Sequence, residues 1–138
     1  MSGRTGKVAG QVGHQFEYAQ QNPNFLNPNG ANEPYVTYSV LLTQTGTDNP
    51  IVNILRNTFK SDPTVIRTGV GQYEITLNNS FPSNQVAIVP GTLNIGTGAR
   101  LLMAERQNDN MILIRTSIDG AYSDDVLDDT FLEIRTYL

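Results

Sequence analysis

The chain has no cysteine and no tryptophan, and its one histidine is His14. Without cysteine, disulfide staples and thiolate metal sites are excluded, a composition that fits a reducing compartment. His14 stands between Gly13 and Gln15 in a polar stretch. A nucleophilic triad needs its histidine held rigidly beside a nucleophile and an orienting acid, so His14 reads as a hydrogen-bonding residue and not as a general base. Charge is also scarce, at 16% of residues, where about 25% is usual. Hydrophobic residues make up 38%, below the roughly 45–50% of an average globular chain. The net charge of -4 argues against a nucleic-acid partner, which wants a basic face. No run approaches the roughly 18 apolar residues of a spanning helix. The positive start Met1-Ser2-Gly3-Arg4-Thr5-Gly6-Lys7 leads into no apolar segment, so neither a membrane partner nor a cleaved signal peptide is expected.

What is abundant is Asn, Gln, Thr and Ser, unevenly spread. Residues 1–33 interleave Gly3, Gly6, Gly10, Gly13 and Gly30 with Gln and Asn. That composition buries too little apolar surface to offset its own chain entropy. Phe16, Tyr18, Phe25 and Leu26 are nevertheless spaced through it, and Pro23 and Pro28 favour extended backbone before them. The expectation is an extended N-terminal arm that uses these four side chains to bind a neighbouring protein. At about 3.3 Å per residue it could reach roughly 100 Å.

From residue 34 onward the pattern is β. Strands are predicted over 34–43, 51–55, 64–68, 72–77, 85–89, 101–106, 111–116 and 130–138, separated by turn residues such as Ser61-Asp62-Pro63 and Pro90-Gly91. Tyr73, Ile75 and Leu77 share one face of their strand, and Gln107 to Asn110 form a hairpin loop. No window sustains a helical period over three turns. The fold class predicted is all-β, a β-sandwich of jelly-roll or tumour-necrosis-factor-like type over 34–138. In the last strand Leu132, Ile134, Thr136 and Leu138 form the core face. Phe131, Glu133, Arg135 and Tyr137 form the other, mixing rings with opposite charges as subunit interfaces do. That strand is expected inside a sheet or against a partner, since a terminal strand otherwise frays.

Three segments carry a resemblance: Leu42-Thr43-Gln44-Thr45-Gly46-Thr47-Asp48-Asn49-Pro50, then Gly71-Gln72-Tyr73, then Glu133-Ile134-Arg135-Thr136-Tyr137. In this order, over residues 35–138, they resemble small β proteins of tailed bacteriophages and Bacteroidetes genomes. The resemblance implies a virion protein without catalytic residues, a capsid decoration, head fibre or tail appendage. It further implies a homotrimer whose partners are itself and other virion proteins such as the capsid or a fibre base. The alternative is a receptor- or glycan-binding module at a fibre tip, in which exposed tyrosines meet a host surface glycan.

Candidate chemistry is thin. Asp119, Asp124, Asp125, Asp128 and Asp129 could supply oxygens to calcium, but no EF-hand pattern is present and a solvated acidic loop is the favoured reading. Adjacent acids such as Asp124 and Asp125 point apart, which suits neither a glycosidase pair nor a shared site. Gly96-Thr97-Gly98 lacks the spacing of a phosphate loop. The expectation is no enzyme activity, no metal and no cofactor.

Overall fold

The computed structural model describes residues 33–138. Tyr35–Leu138 form one compact unit. The arm residues Phe16, Tyr18, Phe25 and Leu26, and His14, lie outside the described residues.

The described residues form nine strands and no helix: β1 (Tyr35–Thr43), β2 (Ile51–Asn57), β3 (Thr64–Gly69), β4 (Gln72–Thr76), β5 (Val86–Pro90), β6 (Arg100–Asn108), β7 (Met111–Ile118), β8 (Ala121–Tyr122) and β9 (Thr130–Tyr137). Two antiparallel sheets pack together as a sandwich. Sheet A has the order β2-β1-β9-β5, and sheet B the order β3-β4-β7-β6 with β8 added beside β7. Eight strands were legible from alternation, while the short β8 was not. Hairpins β1–β2, β3–β4 and β6–β7 each stay within one sheet. A jelly roll, and its tumour-necrosis-factor-like variant, instead sends its first strands to opposite sheets. The architecture is therefore a sandwich with a different strand path.

The core follows the two-residue period of the strands. Tyr38, Val40 and Leu42 of β1 and Leu132 and Ile134 of β9 face Tyr73 and Ile75 of β4 and Ile112 and Ile114 of β7, all buried. The terminal strand is central, paired with β1 from Thr130 to Tyr137 and with β5 from Leu132 to Thr136. Those two ladders hold its backbone from both sides, so it does not fray. Leu138 departs from expectation: it lies past the last ladder pair and is 84% exposed, with no strand opposite to cover it.

Among the described residues, each edge strand carries an irregularity or is short. The β1–β2 register slips between Ser39 and Val40, leaving Leu55 unpaired on β2. The β3–β4 register slips at Thr68, and the β6–β7 register at Gln107. The fourth edge strand, β5, has only five residues and ends in Pro90. Bulges, short length and proline all spoil an edge as a template for another strand.

Candidate functional site

Two places gather the residues that sequence reading singled out. The first is the outer face of sheet A. Phe131, Glu133, Arg135 and Tyr137 do share it, and the cross-strand partners on β1 are Leu41, Ser39, Thr37 and Tyr35 in that order. Glu133 accepts a hydrogen bond from Ser39 Oγ at 2.6 Å and another from Arg135 Nε. The Arg135 guanidinium lies 4.8 Å from the centre of the Tyr35 ring, and Tyr35 meets Tyr137 at 5.1 Å between ring centres. Burial pushes the Glu133 carboxyl up, but the Ser39 and Arg135 hydrogen bonds and the charges of Arg135 and Arg56 outweigh it and leave the group below its ordinary range. Tyr137 first, and then Glu133, hold Arg135 above its ordinary value. The pair is therefore charged throughout the neutral range and already oriented. Exposed Ile51 and Val89 flank this cluster on β2 and β5. The arrangement is an aromatic and ionic patch held in place by its own hydrogen bonds, with exposed apolar side chains beside it.

The second place is the acidic stretch, and the structure gives each aspartate separate work. Asp119 and Gly120 form the two-residue turn between β7 and β8, with φ of 51° and 85°. Positive φ at both positions is the signature of the favoured Asp-Gly hairpin turn; that signal was present in the sequence and was obscured by reading the aspartates as one group. The Asp119 carboxylate accepts from the Ala99 N–H at 2.9 Å, and Asp125 accepts from the Gly46 N–H at 2.7 Å. Asp128 accepts from Asn94 Nδ2 at 2.9 Å, and the Asp129 N–H donates to Thr43 Oγ1 at 2.9 Å. No three acidic or histidine side chains converge among the described residues. Val126 and Leu127 between them are buried core anchors in a loop.

Asp124 is the centre of a polar clasp at one end of the sandwich. It accepts from Arg67 Nε at 3.1 Å and Nη2 at 2.8 Å, from the Gly71 N–H at 2.9 Å and from Tyr73 Oη at 3.3 Å. The Arg67 fork is the bidentate geometry guanidinium offers a carboxylate. These hydrogen bonds from Arg67, opposed by burial and helped by Gly71 and Tyr73, hold the Asp124 carboxyl below its usual range. Tyr73 Oη lies 2.9 Å from Gln44 Oε1, to which the Asp125 N–H also donates. Gln44 Nε2 donates to the carbonyls of Gly46 and Asp48, closing the turn after β1. Gln44 is buried, and this network satisfies both ends of its amide. Burial pushes the Tyr73 phenol up to about 12, with Thr116 opposing and the Asp124 charge adding to the rise.

Two of the three quoted segments, Gln44 to Pro50 and Gly71 to Tyr73, thus meet at one clasp, and the third forms the outer patch. Sequence reading missed Arg67 and Tyr73 as partners of Asp124, and Gln44 as the link between Tyr73 and the Asp125 N–H, because these pairs lie 51 to 81 positions apart in the chain, except for Gln44 and Tyr73 at 29. No protein-family model, curated protein or solved structure matches the chain.

Proposed function

We propose that the protein is a structural component of a tailed-bacteriophage virion, a capsid decoration, head fibre or tail appendage. In this reading it assembles as a homotrimer through the outer face of sheet A and docks through residues 1–33. The observation that carries it is the pairing of that preset patch with four blunted edges: the fold discourages strand addition and offers a face instead. The order of the three quoted segments supports the virion assignment. Three arms on one trimer would strengthen docking, because each later attachment is effectively intramolecular. A glycan-binding fibre tip is the second reading, favoured by the half-exposed Tyr35–Tyr137 pair.

Two experiments test it. Arg135→Ala together with Tyr137→Ala removes both sides of the patch without touching the core, and sedimentation is expected to show monomers where the parent is trimeric. A double variant that stays fully trimeric removes this face from the interface. Deleting residues 1–33 is expected to leave a folded sandwich that fails to join its parent particle. Normal incorporation of the shortened chain would overturn arm docking, and retained glycan binding by it would favour the tip.

A further inference from the structure

A groove of about 670 Å³ opens between the two sheets at the end of the sandwich where β1 begins and β9 ends. Val36 of β1 stands on the sheet A side, and Leu77, just after β4, on the sheet B side. Phe59 and Pro82 add to its apolar lining, and Phe59 and Leu77 pack directly on the core cluster. Two exposed polar residues, Lys60 and Asn78, also line it. Neither has a side-chain hydrogen bond or ion pair among the described residues.

We propose that this groove receives Phe25 and Leu26 from the arm of a second copy of the chain. Adjacent residues of an extended chain point to opposite sides, so Phe25 and Leu26 present one side chain to each wall. Phe16 and Tyr18, two positions apart, would both face the same wall. Pro23 and Pro28 favour extended backbone at Asn22 and Asn27, which sets the required conformation in advance. The backbone of the segment needs hydrogen-bond partners where water is excluded. The Asn78 amide offers a donor and an acceptor, and the Lys60 ammonium offers donors. The volume falls within the roughly 300–1,000 Å³ of sites that enclose a ligand. Seven positions separate Leu26 from Glu33, the first described residue. At about 3.3 Å each they span roughly 23 Å, enough to cross to the groove of an adjoining copy. Docking of this kind rests on the reading of residues 1–33 as an arm and names the neighbour it engages; the sheet A patch takes no part.

The test is disulfide trapping between full-length copies, made clean by the absence of native cysteine. One copy carries Asn24→Cys, and a second, isotopically labelled copy carries Asn78→Cys. Under mild oxidation the 24–78 disulfide between copies is expected, identified by mass spectrometry. Its yield is expected to exceed at least about tenfold that with Ile95→Cys, a fully exposed position outside the groove. Adding Phe25→Ser and Leu26→Ser to the Asn24→Cys copy is expected to lower the yield about tenfold or more. A synthetic peptide of residues 21–30 is expected to compete, and the same peptide with both serines is not. Lys60→Cys probes the same groove should the Asn78 variant not fold. A yield no higher than the Ile95→Cys control overturns the proposal. So does trapping that survives loss of both apolar side chains, or a disulfide that forms only when both cysteines are in one chain. If trapping fails while deletion of residues 1–33 still blocks incorporation, the arm engages another protein: this docking is then wrong and the virion reading stands.

Discussion

Gly71→Ala should unfold the domain at temperatures the parent survives. Gly71 has φ of 62°, a region costly for any residue with a β-carbon. An ideal β-carbon there would lie 2.5 Å from the Thr116 carbonyl oxygen and 2.6 Å from the Ser123 nitrogen. Those two atoms are hydrogen-bonded to each other at 3.0 Å, and Gly71 also accepts from the Thr116 N–H at 2.8 Å. The obstacle is backbone inside a ladder, with no flexible side chain to move aside. Strain and displacement together should cost about 3–4 kcal/mol, a large part of the 5–15 kcal/mol typical of a domain. At roughly 4–8 °C per kcal/mol for a domain near this size, the melting temperature should fall by about 12–32 °C. Gly46→Ala is the internal control. Its φ is 59°, but nothing lies within 4 Å of the added carbon, so only the conformational cost of about 1–2 kcal/mol applies. If the two variants melt alike, steric exclusion at Gly71 is not what that position enforces.

Asp124→Asn should give the second large loss, with a pH signature. An amide keeps the shape but presents one oxygen where the carboxylate serves a guanidinium, a backbone N–H and a phenol. Leaving those donors short should cost about 2–3 kcal/mol at pH 7, as for other half-buried charged pairs. Asp124 has its folded-state value held below the unfolded one. Between those two values the unfolded chain binds the extra proton, so stability rises with pH there. The contribution is complete above the ordinary carboxylate range and is lost as pH falls through the lowered folded value. Urea unfolding from pH 7 down to pH 3 should therefore show a steep acid loss in the parent and a shallower one in Asp124→Asn. The residual slope belongs in part to Glu133, which is also held low. Parallel curves would show that the clasp does not govern acid stability.

The alternation of β-branched and aromatic residues was enough to locate eight strands, and in β4 and β9 the residues that share the core face, because a half-buried strand imposes a two-residue period. It was also enough to place Phe131, Glu133, Arg135 and Tyr137 on one face. The tertiary structure decided what local pattern does not encode. The strand path, with β1 and β2 together in sheet A, depends on which edges meet, and identical strand patterns serve either path. Arg67 and Tyr73 reach Asp124 across 57 and 51 positions, and Gln44 reaches the Asp125 N–H across 81; nothing in a run of five aspartates says which carboxylate turns inward. Exposure of Leu138 was likewise unreadable, since alternation names a face but only a ladder partner and an opposing sheet can bury it.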